Sequence, residues 1–494
     1  MSFLIYFINV VSLAQRDFYQ RNPAVKTALL PEEGAVLYHA DTNQKKLLND
    51  TALFIWKRLN GQTSINNIAI ELSNHYDSVP INEIVNDISN FIENALKDGY
   101  VLSQRDIPSK AKEWEEYPYI NDSPESMDLA ITGKCNLKCK HCFYADEMVA
   151  RDDLNTEEWL SFIEELGRLP VKTITLTGGE VFTRSHLWEL VDAIIANRMR
   201  YHILTNGTLI TEKTLEAFSS GKRRQRLNSI QVSIDGSCPE VHDRFRCPGA
   251  FARALRALRL LKEAGFPVTV RVTVNRYNLD DLENIARLLL EEIGIDSFTT
   301  NDAMPMGSGR QNRQSIALTL PQQRKAMEVL VRISRRYDGR VMAMAGPLAK
   351  AKMYVEMEQA RATGKSSTSW RMGYLSACGG MFNKLDVLHD GSIVPCHMLR
   401  VVLGKIGMDS IREIYKSHPI LEALRKRCSI PMTQVPGCED CEWAPFCNGG
   451  CPGLAYEMTG DFNLANPWDC YKRFVEEAGR WCLDKAYFSS LTRD

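Results

Sequence analysis

The sequence lacks several features that would assign it to a broad functional class at once. Its 494 residues carry 60 basic and 61 acidic side chains, so the net charge of −1 gives no support to nucleic-acid binding. No apolar run reaches the roughly 20 residues that span a bilayer. The opening MSFLIYFINVVSLAQ lacks the basic start and the cleavage site of a secretion signal. We therefore expect a cytoplasmic protein that binds neither nucleic acid nor membrane.

Cysteine, by contrast, is abundant, with fourteen residues in the chain. In a cytoplasmic protein, clustered cysteines indicate metal binding rather than disulfide bonds. The sequence has no internal repeat and no low-complexity tract. At about 100–200 residues per domain, the length predicts two to four domains.

The first predicted domain, residues 1–107, contains no cysteine and has little chemistry of its own. GAVLYHA and KKLLND are predicted strands around the turn DTNQ, and YVLSQ is a final strand. Three amphipathic helices are predicted between them, in TALFIWKRLNG, SINNIAIELSNHY and INEIVNDISNFIENALKDG. This pattern predicts a small winged-helix-like binding module, followed by a linker over residues 108–126.

The second predicted domain, residues 127–320, alternates strand-like with helical segments. The six strand-like runs are MDLAIT, VKTITLTGG, YHILTNG, SIQVSIDG, PVTVRVTVN and DSFTTND. Six such units predict an α/β fold with a parallel sheet, either open or a partial barrel, and a ligand site at the carboxyl ends of the strands. Residues 321–375 are predicted to form a helical bridge, and residues 376–494 a cysteine-rich domain.

Two motifs follow the first two predicted strands. Cys135, Cys139 and Cys142 have C-x3-C-x2-C spacing, and TLTGGE ends at Glu180. Structural zinc sites and electron-carrying iron–sulfur clusters normally take four protein ligands. Three thiolates can instead hold a [4Fe–4S] cluster with one iron open to a chelating small molecule. A zinc knuckle completed by His141 is the alternative.

This pair of motifs resembles the radical S-adenosylmethionine (SAM) superfamily. The resemblance implies a partial (β/α)6 barrel in which Cys135, Cys139 and Cys142 bind a [4Fe–4S] cluster. It implies that a 5′-deoxyadenosyl radical abstracts hydrogen from the substrate. Residues implied or suggested as SAM contacts are Gly178, Gly179, Glu180, Asn206, Ser233, Arg246 and Arg271. Strand-end capping and structural ion pairs are the alternatives for the last four, and no catalytic acid or base is identified.

The C-terminal cysteines are arranged as C-x12-G-x4-C followed by C-x2-C-x5-C-x3-C. This spacing resembles the SPASM domain of radical SAM enzymes, which implies two auxiliary [4Fe–4S] clusters. The implied ligands are Cys378, Cys396 and Cys451 for the first, and Cys438, Cys441, Cys447 and Cys470 for the second. Lys384 stands where some relatives have a fourth cysteine, so either Cys428 completes the first cluster or one iron stays open. Cys238, Cys247, Cys428 and Cys482 lie outside the motifs and are expected to be small buried hydrophobic residues.

The N-terminal module resembles the recognition element of ribosomal peptide maturation systems, such as the small chaperone of pyrroloquinoline quinone biosynthesis. That resemblance implies a leader peptide added as a strand to the hairpin edge. A winged helix for dimerisation or nucleic-acid binding is the alternative.

Together the resemblances predict a radical SAM enzyme that modifies a ribosomally made precursor peptide, with a crosslink as the favoured product. Flavodoxin or ferredoxin is the expected electron donor. The alternatives are a peptide epimerase, a backbone-excising enzyme, a small-molecule enzyme, a sulfatase-maturing-type side-chain oxidase and a non-catalytic cluster-bearing scaffold. Sulfatase-maturing enzymes carry an aspartate base at the position of His397, which makes that alternative less favoured.

Overall fold

The computed structural model describes residues 18–74, 79–103, 118–366, 370–378 and 380–481, which form two compact units. The described residues up to 123, with the segments 164–172 and 196–199, form the first unit, and the other described residues form the second. The apolar N-terminal stretch and Cys482 lie outside the described residues. Among the residues described, no helix has the length and the apolar character needed to cross a bilayer.

The first unit contains two three-stranded sheets. One has the order β2-β3-β4, with β2 at Val25–Leu29, β3 at Ala35–His39 and β4 at Gln44–Leu48. The other has the order β5-β1-β6, with β1 at Phe18–Arg21, β5 at Asn60–Ser64 and β6 at Val101–Ser103. The hairpin β3–β4 and β6 confirm the predicted strands. The strands β1, β2 and β5 were not predicted.

Three helices complete the first unit and confirm the sequence prediction: Asp50–Arg58, Ile65–Ser73 and Ile81–Lys97. Asn49 and Ser64 cap the first two by accepting hydrogen bonds from Ala52 N and Asn67 N. The third helix buries Ile84, Ile88, Ile92 and Ala95 along one face, as its helical spacing of apolar residues requires. Trp56 lies at the centre of this core, and its Nε1 donates to Thr27 Oγ1 at 2.9 Å.

The second unit is built on a ten-stranded sheet of order β13-β12-β11-β10-β9-β8-β7-β14-β15-β16. All six predicted strands are present: β7 Ser126–Ala130, β8 Thr173–Thr177, β9 Arg200–Thr205, β10 Leu227–Ser233, β11 Val268–Val274 and β12 Phe298–Asp302. They are parallel, and β13 (Val341–Ala343) and β14 (Lys384–Val387) extend the parallel arrangement at the two edges. The strands β15 (Ser392–Val394) and β16 (Gly404–Lys405) follow as antiparallel partners. The C-terminal region therefore continues the sheet of the central domain.

Helices connect the strands in the predicted order. In the central region they are Ala145–Ala150, Thr156–Gly167, Leu187–Ala196, Glu212–Ser219, Arg223–Arg226, Pro239–Phe245, Ala250–Glu263, Leu282–Arg287, Ser308–Gln311 and Arg313–Ile316. The predicted bridge contains Leu320–Arg336 and Gly346–Thr363, with β13 between them. The C-terminal region contains Gly380–Asn383, Ile411–Ser417, Pro419–Lys426, Pro452–Thr459 and Tyr471–Ala478.

The two faces of the central strands differ in polarity. On one face the side chains are apolar and fully buried, as for Ile174, Ile203, Val232 and Val270. The alternate positions, which we call the polar face, are half-buried: Asp128, Thr175, His202, Gln231, Ser233 and Arg271. A parallel sheet covered by helices on both faces has nearly continuous apolar strands. The alternation observed here indicates that one face lines a polar space instead.

Candidate functional site

The three cysteines of the first motif come together in the loop after β7. Burial raises the pKa of Cys139 to about 12; Arg246 opposes the shift, while Cys142 and Cys135 add to it. Burial likewise raises the pKa of Cys135 to about 11, with Glu180 and Cys142 adding to it. The described cysteines are all free thiols. Buried thiols become thiolates when they bind metal, and a ligand set of sulfur alone fits an iron–sulfur cluster.

The TLTGGE segment packs against the backbone of this loop. Gly179 N donates to Thr132 O and Glu180 N donates to Lys134 O, both at 2.8 Å. A Cβ atom on Gly178 would lie 2.3 Å from Thr132 O, and one on Gly179 would lie 2.2 Å from Lys134 O. Gly178 also has a φ of +134°. Both glycines are therefore required for the close approach of this segment to the cysteine loop.

Glu180 is buried and holds the ends of two strands together. Its carboxylate accepts hydrogen bonds from Thr205 Oγ1 and Asn206 N, both at 2.7 Å, and from Phe182 N at 3.3 Å. Burial raises the pKa of Glu180, against the lowering effect of these hydrogen bonds. A buried carboxylate with a raised pKa gains from a cationic ligand, because the ligand's charge stabilises the ionised form.

Asn206 links the end of β9 to the cysteine loop. Its Nδ2 donates to Asn136 Oδ1 at 2.9 Å, and its Oδ1 accepts from Thr208 N and Thr208 Oγ1. Asn136 Nδ2 donates in turn to Thr208 Oγ1 at 2.8 Å. These bonds resemble the strand-end capping that is the alternative for Asn206. The sequence reasoning missed Asn136, although it lies inside the cysteine motif.

Arg246 forms a buried ion pair with Asp235, with 2.5 Å between Nε and Oδ2. Asp235 also accepts from Thr273 N at 2.7 Å, which ties the end of β10 to β11. The positive charge of Arg246 opposes the burial-driven rise in the pKa of Cys139 and Cys142. Arg246 therefore lies at the cysteine loop, with its guanidinium engaged by Asp235.

Ser233 and Arg271 are register partners on β10 and β11 and lie on the polar face. Arg271 is half-buried, and its Nε donates to Gln231 Oε1 at 3.3 Å. Burial lowers the pKa of Arg271, and no carboxylate pairs with its guanidinium in the part of the chain that the structure describes. A partly desolvated guanidinium without a counter-charge is suited to bind an anionic ligand.

The C-terminal cysteines form two groups in space. Burial raises the pKa of Cys451, and the nearby Cys378 adds to that rise. Cys451 in turn adds to the burial-driven rise in the pKa of Cys396. Burial raises the pKa of Cys447 to about 12, and Cys470, Cys438 and Cys441 add to that rise. The groups are therefore Cys378, Cys396 and Cys451, and Cys438, Cys441, Cys447 and Cys470.

A charged cluster joins β7 to β14 next to Cys396. Lys384 pairs with Asp128 and lies 3.5 Å from Asp386 Oδ1, and His397 Nδ1 lies 2.7 Å from Asp386 Oδ2. Burial alone would raise the pKa of Asp386, but His397 and Lys384 lower it overall. The two carboxylates and His397 are close enough to bind a metal ion, but the ammonium of Lys384 already pairs with both carboxylates. The sequence reasoning missed this cluster, although Asp128 within the strand MDLAIT was a visible signal.

The remaining described cysteines, Cys238, Cys247 and Cys428, are not members of these groups. The thiol of Cys428 donates to Arg425 O at 3.0 Å. Cys238 precedes the helix Pro239–Phe245, and burial raises its pKa. Cys247 Sγ accepts from Lys138 N at 3.3 Å, so Cys247 lies against the cysteine loop.

Three family models match the chain in separate segments. The Radical SAM superfamily matches residues 129–289, and the iron–sulfur cluster-binding domain SPASM matches residues 378–442. The coenzyme PQQ synthesis protein D (PqqD) family matches residues 34–101. The three matches are in the order predicted from the motifs.

Individual relatives have low sequence identity to this chain but align with it over most of its length. The AdoMet-dependent heme synthase of Methanosarcina barkeri is 27% identical over 72% of this chain and 98% of its own length. The subtilosin biosynthesis protein AlbA of Bacillus subtilis is 26% identical over 82% of this chain and 84% of its own length. The structure of Streptococcus suis SuiB bound to the precursor peptide SuiA covers 92% of this chain and 100% of that one, with a TM-score of 0.61 and 14% identity. At that identity, SuiB supports the fold alone.

These matches favour an iron–sulfur site over the zinc-knuckle alternative for the cysteine loop. A radical SAM domain implies SAM and a [4Fe–4S] cluster, and a SPASM domain implies auxiliary iron–sulfur clusters. The three thiols and the glycine-lined approach beside them fit such cofactors. The chain is therefore an enzyme that carries a radical SAM domain over residues 129–289, preceded by a PqqD-type module and followed by a SPASM domain.

Proposed function

We propose that this enzyme modifies a ribosomally made precursor peptide. The observation that carries the proposal is a PqqD-type module with an exposed sheet edge in the same chain as the cysteine loop. Two relatives point the same way by name, AlbA from a bacteriocin pathway and the PqqA peptide cyclase of Ruegeria pomeroyi. The proposal includes the domain ranges predicted from the sequence: a peptide-recognition module over residues 1–107, a linker over 108–126, a radical SAM domain over 127–320, a helical bridge over 321–375 and a SPASM domain over 376–494.

The leader of the precursor peptide docks on the outer edge of β4. The outer edge of β2 is partly occupied, because Leu29 forms a parallel bridge with Tyr119. No strand pairs with the outer edge of β4 in the described ranges of the first unit. Leu47 on β4 is 70% exposed and can contact an added strand. An exposed strand edge offers backbone groups to an extended peptide, and the apolar side chain supplies selectivity.

Cys135, Cys139 and Cys142 hold the SAM-binding cluster in this proposal. Glu180, with Gly178 and Gly179 beside it, receives the SAM ammonium, and its raised pKa is the physical reason to place a cation there. Arg271 is the better choice for the SAM carboxylate, because Asp235 already engages Arg246. Asn206 and Ser233 position the surrounding strand ends.

The two C-terminal groups of cysteines hold the auxiliary clusters. The spatial grouping of the cysteines supports this assignment. Cys378 and Cys396 lie near Cys451, in a group separate from Cys438, Cys441, Cys447 and Cys470. We propose a set of three thiols for the first auxiliary cluster. Cys428 donates its thiol hydrogen to a backbone carbonyl, and Lys384 pairs with Asp128.

When bound, the clusters and SAM supply one-electron chemistry that abstracts hydrogen from an unactivated carbon. The chain's own residues bind and orient the reactants. Thr175 and Gln231 on the polar face can hydrogen-bond the peptide backbone and hold the reacting carbon in place. The buried pair Arg246–Asp235 keeps charge balanced beside the thiols without admitting water.

We propose a crosslink as the product, because two auxiliary clusters suit a reaction that ends with the loss of a second electron. Peptide epimerisation and backbone excision remain the alternative outcomes. A reduced flavodoxin or ferredoxin serves as electron donor, and a cytoplasmic location would keep the many thiols reduced.

The test combines the reconstituted enzyme with dithionite, SAM and synthetic peptides. The peptides are those encoded by short open reading frames beside its gene, both with and without cysteine. We expect 5′-deoxyadenosine, and a peptide lighter by about two hydrogens for each crosslink. Deletion of residues 1–107 should abolish peptide binding while dithionite-driven SAM cleavage persists. Peptide binding that survives this deletion would refute the leader-docking proposal.

A small-molecule substrate is the second candidate, because the heme synthase of M. barkeri aligns over 98% of its own length. A tetrapyrrole substrate would be consumed equally well by the full chain and by the chain without residues 1–107. The same deletion therefore distinguishes the two candidates.

A further inference from the structure

Three exposed or partly exposed cations lie on the outer side of the cysteine loop, and we call them the cationic patch: Lys138, Lys140 and Arg244. Lys138 and Arg244 are exposed, and Lys140 is half-buried. Lys140 Nζ lies 5.1 Å and Arg244 Cζ lies 4.3 Å from the centre of the Tyr277 ring. Two cations on one aromatic ring indicate a shared surface rather than separate side chains.

The patch is continuous with the loop that carries the thiols. Lys140 N donates to Phe245 O at 3.0 Å, which joins the loop to the helix of Arg244. Lys138 N donates to Cys247 Sγ at 3.3 Å. Lys138 and Lys140 flank Cys139 in the sequence, so a partner bound here would approach the thiols closely.

The patch is not neutralised by the protein itself. Over the described ranges, none of the three cations forms a salt bridge with a carboxylate, whereas other surface cations are paired. Arg223 pairs with Asp192 at 2.6 Å, for example. The nearest acid in the sequence, Asp243, accepts hydrogen bonds from Gly249 N and Phe251 N, both at 2.7 Å. In a chain of net charge −1, this surface is locally positive.

We propose that the cationic patch docks an acidic protein that carries one electron, of the flavodoxin or ferredoxin class. This inference rests on the proposed function, which needs one electron delivered to the cluster held by the cysteine loop. In that step the reduced carrier loses one electron and the cluster gains it, and no covalent bond forms or breaks. Complementary charge would steer the carrier to this loop and raise the association rate.

The first measurement is direct binding of purified flavodoxin to the reconstituted full chain at low and at high salt. We expect the affinity to fall about tenfold or more in Arg244→Glu and in Lys138→Glu. Arg244→Lys should retain wild-type binding. Arg259→Glu is the matched control, because it reverses an exposed cation that is not part of the patch, on the helix Ala250–Glu263.

The second measurement compares the formation of 5′-deoxyadenosine with reduced flavodoxin and with dithionite as reductant. Arg244→Glu should lower the flavodoxin-driven rate about tenfold and leave the dithionite-driven rate unchanged. Equal flavodoxin binding by wild type, Arg244→Glu and Lys138→Glu would overturn the proposal. Equal losses in Arg259→Glu, or binding of DNA or anionic vesicles in place of flavodoxin, would also overturn it.

A wild-type enzyme that forms no 5′-deoxyadenosine with dithionite would instead count against the proposed function. The binding measurement would then still decide whether the patch recognises the carrier. The two failures are therefore distinguishable.

Discussion

At the scale of single residues, Glu180 is the side chain whose environment constrains its role most tightly. It is 1% exposed, accepts three hydrogen bonds and has a pKa raised by burial. Burial therefore disfavours its ionised form, and a bound cation would oppose that effect. The two glycines before it leave backbone space that a single Cβ atom would close.

We expect Glu180→Gln to weaken SAM binding by about ten- to a hundredfold, the value of a charge-assisted hydrogen bond. The fold should persist, because the amide oxygen can accept from Asn206 N and its NH2 group can donate to the Thr205 hydroxyl, with only the longer hydrogen bond from Phe182 N lost. Equilibrium binding of SAM to the reconstituted protein measures the effect. Glu216→Gln, an exposed change of the same charge, is the control. Unchanged affinity in Glu180→Gln would exclude this carboxylate as the ammonium partner.

Cys428 supplies a second prediction at the residue scale. If its thiol only donates to Arg425 O, Cys428→Ala should keep the full iron content of about twelve atoms, expected for three [4Fe–4S] clusters. Cys441→Ala should lose about four irons and retain dithionite-driven SAM cleavage. Iron analysis and electron paramagnetic resonance measure both. A loss of about four irons in Cys428→Ala would make Cys428 a ligand.

At the scale of secondary-structure elements, the edge of β4 is the decisive feature of the first unit. Its strand QKKLL presents Leu47 to solvent, and a docked leader strand would cover that side chain. Long exposed edges with apolar residues invite pairing with another strand.

We expect Leu47→Glu to weaken leader-peptide binding roughly tenfold, because it removes an apolar contact and introduces a charge that must be desolvated. Fluorescence anisotropy with a labelled leader peptide measures the affinity. Ile81→Glu, which changes another exposed apolar residue at the start of a helix, should bind the peptide normally. Equal losses in the two variants would contradict docking at β4.

At the scale of the whole second unit, a buried ionic group joins the sheet to the C-terminal cysteines. Lys350 is 5% exposed, and its Nζ lies 2.7 Å from Asp469 Oδ1 and 3.4 Å from Asp302 Oδ2. Asp302 ends β12, and Asp469 precedes Cys470. Burial alone would lower the pKa of Lys350, but the two carboxylates raise it. Lys350 is therefore charged throughout the neutral range, and its stabilising effect is lost only as alkaline pH passes its folded-state pKa.

We expect Lys350→Met to destabilise the protein by about 3–5 kcal/mol, because it leaves the buried Asp302 carboxylate and the half-buried Asp469 carboxylate without a counter-charge. The melting temperature of the cluster-free protein should fall, and the loss should diminish at acidic pH as the carboxylates become protonated. Lys352→Met changes an exposed lysine on the same helix and should melt like wild type. A melting temperature unchanged in Lys350→Met would contradict this role.

Short-range patterns predicted most of the central domain and of the candidate site. The six strand–helix units follow from apolar periodicity, and the cysteine and glycine motifs from their spacing along the chain. β5 was missed because NGQTS has no apolar alternation; it is a strand through its pairing with β1. β13 was missed because three residues give too short a pattern to separate from the helices around it.

The sequence by itself determined most of the helices and strands, the order of the three domain types and the cysteine spacings, because these depend on residues close together in the chain. Only the tertiary structure decided which distant side chains meet. It brought Arg246 to Asp235 and, among the described residues, placed no carboxylate beside Arg271. It also paired β14 with β7, so that Lys384 reaches Asp128 across 256 positions. Such contacts depend on strand register and on the desolvation of charges, which no local pattern encodes.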